Sequence, residues 1–135
     1  MWEETALMAL KLVVSLGLGA LVGLEREIGR KPAGLRTHML VCMGACLFTI
    51  VSVGEFNMDP ARVASGIVTG IGFIGAGTIM GSKVRIKGIT TAATLWVTAA
   101  VGLSIGVGMY IPAVLASVLV FLVLQMWRIE LEIGE

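Results

Sequence analysis

Charge divides this chain into long apolar runs. Residues 6–24 are apolar except for Lys11. As a helix these 19 positions rise about 28 Å, close to the ~30 Å hydrocarbon core of a bilayer. Two runs of similar length follow, 37–53 and 63–80. Asp59-Pro60, just ahead of the third, reads as an N-cap with proline at the first helical position. Residues 89–124 then form 36 positions without a charge. One span needs only ~20 residues, and Gly106-Val107-Gly108, with Pro112 beyond, reads as a hairpin. The run therefore divides into 90–105 and 109–125, with a single tilted or broken helix as the alternative. The pattern predicts an all-α polytopic membrane helix bundle of about five transmembrane helices.

Composition strengthens that reading. Hydrophobic residues make up 57% of the 135, charged residues 14%, and mean hydropathy is +0.97. Soluble domains carry about 25% charged residues. Net charge is +1, which gives no reason to expect a nucleic-acid partner. MWEET lacks a basic n-region and no small-residue cleavage site closes a short apolar stretch, so the first run is expected to remain as an anchor. Cys42 and Cys46 stand four apart in an apolar helix, poorly placed for a disulfide, and are expected to be free thiols.

Basic residues alternate between the connections. Arg26, Arg30, Lys31 and Arg36 fall between the first two spans, and Lys83, Arg85 and Lys87 between the third and fourth. The second connection has only Arg62, beside Glu55 and Asp59, and the fourth has none. Positive charge marks cytoplasmic loops. The N-terminus is thus expected outside and the C-terminus in the cytoplasm, which an odd number of spans permits. No C-terminal soluble domain is expected: 1–135 reads as a single transmembrane domain, with a short tail holding Arg128, Glu130, Glu132 and Glu135.

Gly70-Ile71-Gly72-Phe73-Ile74-Gly75 spells GxGxxG. A dinucleotide-binding turn needs a preceding strand, a following soluble helix and an acidic residue about 20 positions on. Here the glycines lie inside an apolar run, and no Asp or Glu occurs between Asp59 and Glu130. The glycines fit a membrane helix better. Gly66, Gly70 and Gly77 fall on one face, with Gly72 and Gly75 also within the run. Small residues let helix backbones approach closely in lipid. The third span is therefore expected to be the central helix, packed on two sides, with its isoleucines towards lipid or a larger partner. On that reading Gly70→Leu destabilises the packing. Ser15, Gly19 and Gly23 repeat the device on span one. Thr90, Thr94, Thr98, Gly102 and Gly106 run at spacing four along span four. That ridge reads as a packing seam whose threonines bond back to their own helix, or as the wall of a polar pathway.

Four blocks together resemble the MgtC/SapB family. They are Gly23-Leu24-Glu25-Arg26-Glu27, Ala33-Gly34-Leu35-Arg36-Thr37-His38, Gly70 to Gly77 as GIGFIGAG, and Gly88-Ile89-Thr90-Thr91-Ala92-Ala93-Thr94-Leu95-Trp96. The match covers roughly residues 10–110. The resemblance implies a multi-pass inner-membrane protein linked to magnesium homeostasis and to growth in low magnesium; some members are virulence factors that act in macrophages. It implies modulation of other membrane machines, including ATP synthase and transport ATPases, more than magnesium transport by the chain itself. Two departures stand out. Many members carry an ACT-like cytoplasmic domain beyond the point where this chain ends, and virulence-type members have Asn at the position of Thr90 and Cys at that of Val97. Both argue against a specific virulence role.

The resemblance draws attention to Glu25, Arg26, Glu27, Arg36, Thr37 and His38 at the cytoplasmic edge. Their charges read as a lock across the first hairpin or as a docking vestibule. His38, Cys42 and Cys46 share a helical face with no evident fourth ligand, which favours packing over a metal site. Glu55, Asn57 and Asp59 are weak candidates for an external divalent cation, with a solvated turn as the simpler reading. No carboxylate sits mid-span, which counts against a single-chain cation carrier. Trp2 and Trp127 lie at span ends, as interfacial residues do. Trp96 lies inside span four and is expected to pack on a neighbour's glycines, together with Thr90, Thr91 and Thr94. Lys11 is expected to snorkel to the outer interface. No nucleophile–base pair appears, so no enzymatic activity and no cofactor are expected. The expected partners are the lipid bilayer, a second copy in a homodimer, and a membrane complex such as an ATP synthase or transport ATPase. An oligomeric channel or transporter for Mg²⁺ or another cation is the competing function.

Overall fold

The computed structural model describes residues 1–55, 59–81 and 85–133, the last six of these by backbone only. Asn57, Lys83 and Glu135 lie outside the described residues, as do the side chains of Arg128, Glu130 and Glu132. Five helices follow in order: α1 (Trp2–Ile28), α2 (Leu35–Glu55), α3 (Pro60–Ala76), α4 (Ile89–Gly106) and α5 (Tyr110–Ile133). All but α3 are long and apolar enough to cross a bilayer. Helix α3 has 17 residues, about 26 Å at the usual rise. The all-α polytopic bundle expected from the sequence is the fold observed. A small addition lies between α3 and α4, where β1 (Met80–Gly81) pairs antiparallel with β2 (Ile86–Lys87).

Local chemistry sets the helix ends. The Asp59 carboxylate accepts from the Arg62 N–H at 3.2 Å, and Pro60 occupies the first turn of α3. The third span was expected to run to residue 80, but α3 stops at Ala76. There the Thr78 hydroxyl donates to the Gly75 carbonyl at 2.7 Å, and the chain turns into the hairpin. Hydropathy does not register such a turn, because Ile79 and Met80 are as apolar as the helix before them. Between α4 and α5, Met109 N–H donates to Ser104 O at 2.8 Å and Gly108 N–H to Ile105 O at 3.0 Å. This is a Schellman closure, and Gly108 takes the left-handed conformation it needs, φ +90°. A Cβ on Gly108 would meet nothing within 4 Å, so the cost of Gly108→Ala is purely conformational. That substitution is expected to lower stability by about 1 kcal/mol, read as a small drop in melting temperature in detergent.

Helix α4, not α3, is the centre of the bundle. It packs on α1, α2, α3 and α5, whereas α3 packs mainly on α4 and α2. The expectation for the isoleucines of α3 holds for Ile74, which is 47% exposed, but not for the other two. Ile71 is buried with Ala45, Leu95 and Ala99, and Ile67 packs against that cluster. Gly66, Gly70 and Gly72 meet nothing within 4 Å where a Cβ would stand. A stripe of small residues marks a face suited to close approach, but it does not say that the partner lies in the same chain. Helix periodicity alone left that choice open, and branched isoleucines fill the internal space instead.

The close helix contacts run along the other two small-residue ridges. A Cβ on Gly19 would lie 2.7 Å from the His38 carbonyl, and one on Gly23 would lie 2.8 Å from Leu35 Cα. On α4, a Cβ on Gly102 would overlap the Cys42 carbonyl, and one on Gly106 would press on Thr49. Buried Cys42, Cys46, Val101, Ile105 and Ala113 fill the space between these seams. Lys11 departs from the simple snorkelling expected of it. Its ammonium donates to the Gly106 carbonyl at 2.8 Å. The last carbonyls of a helix lack intrahelical donors and attract a cation.

Candidate functional site

The α1–α2 connection and the β1–β2 hairpin come together at one end of the bundle. Helix α1 closes with Lys31 N–H donating to Arg26 O and Arg30 N–H to Glu27 O, both at 3.0 Å. In this closure the left-handed position is normally glycine. Here it is Arg30, with φ 51°. The lock across the loop is made by Glu27, whose carboxylate accepts from the Leu35 N–H at 2.9 Å. Gly34 leaves room for it, since a Cβ there would overlap the Glu27 carboxylate. The contact is thus carboxylate to backbone rather than charge to charge. Arg36 is exposed and Thr37 half-buried beside it.

Glu25 and Arg26 are buried together. They are 6% and 3% exposed, and Arg26 Nε lies 2.8 Å from Glu25 Oε2. Neither of those two atoms completes a hydrogen bond, and Arg26 Nη1 has none either. The distance makes this an ion contact; the angle denies it the directional part. A buried charge pair short of hydrogen bonds is poorly compensated.

One turn into α2, His38 is fully buried between α1 and α4. Its Nδ1 lies 2.9 Å from the Gly34 carbonyl and its Nε2 lies 3.2 Å from Thr94 Oγ1. A carbonyl only accepts, so Nδ1 carries a proton. The Thr94 hydroxyl donates to Thr91 O at 2.7 Å. One hydroxyl hydrogen serves one acceptor. A neutral imidazole therefore requires Thr94 to turn its hydroxyl from Thr91 to Nε2, whereas a charged one leaves that bond intact. Thr98 bonds back to Thr94 O at 2.7 Å. From Thr94 to Gly106 the ridge of α4 is thus packed within this chain, with the hydroxyls of Thr94 and Thr98 already engaged.

Above this polar layer opens a cavity of about 800 Å³. Arg26, Arg30, Lys31, Arg85 and Lys87 line it, together with Thr90 and Thr91 at the start of α4 and Trp127 on α5. Apart from Arg26, these basic residues served in the sequence only to orient the chain. Their convergence follows from the same observation, because loops on one side of a membrane share one end of the bundle. A second opening, about 570 Å³, is an apolar groove between α2 and α3. Leu40, Gly44, Phe48, Val63, Gly66 and Gly70 are among its walls.

The remaining candidates stand apart. Glu55 is exposed. Asp59 caps α3 and pairs with Arg62 at 3.3 Å. Among the described residues no three His, Cys, Asp or Glu side chains converge on one point. Gly75 touches Ala92 of α4 at ordinary contact distance, and Gly77 caps α3. Trp96 is 53% exposed within this chain.

Fold and site define a multi-pass membrane protein whose helices meet through glycine seams, with a basic cavity at one end and an apolar groove on one side. The chain belongs to the MgtC family, whose profile matches residues 12–130. It is 44% identical over 133 residues to the candidate magnesium transporter YhiD of Escherichia coli K12, covering 92% of this chain and 62% of that protein. The protein slr0014 of Synechocystis sp. is 45% identical over 120 residues, 88% of this chain and 50% of the relative. Protein MgtC of Salmonella typhimurium is 42% identical over 121 residues, 87% and 52% respectively. The chain thus spans between half and two thirds of these relatives. No solved structure matches it.

Proposed function

We propose that this chain is a magnesium-linked protein of the inner membrane that regulates another membrane transport or ATPase complex by helix contact. The observation that carries the reading is the α2–α3 groove. Gly66 and Gly70 stand open along it, meeting nothing of their own chain. Exposed glycines in a membrane helix are what close approach by a second helix requires. A second copy of this chain fits the same requirement and would make a homodimer. The orientation that agrees with the charge pattern has the basic cavity in the cytoplasm, the N-terminus outside and the C-terminus inside. The names of YhiD and MgtC support the link to magnesium.

The test is Gly70→Leu. Because a Cβ at position 70 meets nothing within 4 Å, the variant is expected to melt within about 0.5 kcal/mol of the parent. It is also expected to fail to support growth in low magnesium where the parent supports it. Normal growth with normal stability would remove the groove from the mechanism.

The name of YhiD as a candidate magnesium transporter favours a second reading, an oligomeric cation pathway. The engaged hydroxyls of Thr94 and Thr98 and the tight contacts at Gly102 and Gly106 weigh against a route through one chain. A route between chains would use exposed surface instead.

A further inference from the structure

We propose that the cavity at the basic end of the bundle binds a phosphate-bearing anion. Five cationic side chains line it, from two separate segments: Arg26, Arg30 and Lys31 around the end of α1, and Arg85 and Lys87 just before and within β2, ahead of α4. No acidic side chain lines it among the described residues. Glu25 touches Arg26, and Glu27 is turned to the Leu35 N–H. A bare divalent cation meets the wrong sign of charge here.

Two observations point to an occupant rather than to a solvated basic patch. Arg26 is 97% buried, lines the cavity, and carries Nη1 and Nε without a hydrogen bond. Burying an arginine nitrogen without an acceptor is costly, and a phosphate oxygen is the acceptor its planar fork suits. Beside it α4 begins at Gly88, which brings no side-chain cap. The N-terminus of this 18-residue helix faces the cavity through Ile89, Thr90 and Thr91. An uncapped helix N-terminus presents N–H donors and the positive end of the dipole to an anion. Arg30 adds a third sign, because it keeps a charged side chain at a left-handed position where glycine would fit the backbone better.

The wall opposite the charges is apolar. Val123, Met126 and Trp127 of α5 line the cavity and are also exposed. A phosphate head with an apolar tail matches both walls, as basic pockets at membrane interfaces do for anionic lipids. A soluble phosphate such as ATP would satisfy the charged wall alone.

The test uses the full chain in neutral detergent, with phosphatidylglycerol and phosphatidylcholine offered at equal concentration. Native mass spectrometry reads the lipid retained. Melting is followed in parallel with inorganic phosphate and with ATP. Phosphatidylglycerol is expected to be retained about tenfold over phosphatidylcholine. Arg30→Gly and Lys87→Gln are each expected to reduce that retention about fivefold, the usual worth of one cation near an anionic surface. Arg30→Gly also relieves the backbone, so its melting temperature without added lipid should not fall. Arg62→Gln, at the opposite end and 86% exposed, should leave retention unchanged. If ATP or phosphate raises the melting temperature and Arg30→Gly abolishes the rise, the anion is soluble and the site stands. If no probe is retained or stabilising, or if Arg62→Gln loses as much as Arg30→Gly, the site is refuted. Neither outcome depends on the helix-contact reading, because position 70 is not involved.

Discussion

Gly102→Ala is expected to cost about 3 kcal/mol or more, the upper range for forcing an atom into a filled interior. The new methyl group would overlap the Cys42 carbonyl and lie 3.0 Å from Ala45 Cβ. A carbonyl inside a helix cannot rotate away without breaking its own ladder, so α2 and α4 must separate. Separation also strains the contact of Gly106 with Thr49 and the bond from His38 to Thr94. The expected result is a large fall in melting temperature or loss of folded protein on extraction. Gly44→Ala is the matched control on α2. A Cβ there meets nothing within 4 Å, and alanine favours a helix by about 1 kcal/mol over glycine. Equal stability of Gly102→Ala and the parent would mean that α2 and α4 lie further apart than described.

Glu25→Gln has the second large effect. The substitution removes the carboxylate that touches buried Arg26 and, among the described residues, leaves that positive charge without one. Breaking one side of a buried pair costs about 3–5 kcal/mol. The double variant Glu25→Gln, Arg26→Gln removes both charges and is expected to regain part of that loss. A double-mutant cycle in thermal unfolding measures the coupling between them. A single variant as stable as the parent would show that Arg26 does not depend on Glu25. Phosphatidylglycerol should partly restore Glu25→Gln, because a bound phosphate supplies the missing negative charge.

The fold was legible because membrane helices declare themselves by length and apolarity. The cap at Asp59-Pro60 and the turn at Gly106-Val107-Gly108 were equally local, since each is set by residues within one helical turn. The seams at Gly19, Gly23, Gly102 and Gly106 were visible as small residues at spacing four. Which helix is central was not visible. Span three has more glycine than span four, but a Cβ on Gly66, Gly70 or Gly72 would meet nothing within 4 Å. The spacing of small residues identifies a face, and only the packed chain identifies what that face meets. The site was legible in part. Glu25, Arg26, His38 and Thr94 were each singled out, but not which of them meet. The bond from His38 to Thr94 joins residues 56 positions apart. The basic cavity joins the end of α1 to the segment around β2, and apart from Arg26 its cations had entered only as loop charge.

Magnesium uptake into proteoliposomes tests the central claim most directly. The purified chain, shown to be folded and inserted, is compared with Thr94→Val and with empty liposomes. A protein that acts by helix contact is predicted to give uptake no greater than empty liposomes, with or without the substitution. Saturable Mg²⁺ uptake that Thr94→Val alters would contradict that account and establish a pathway in its place.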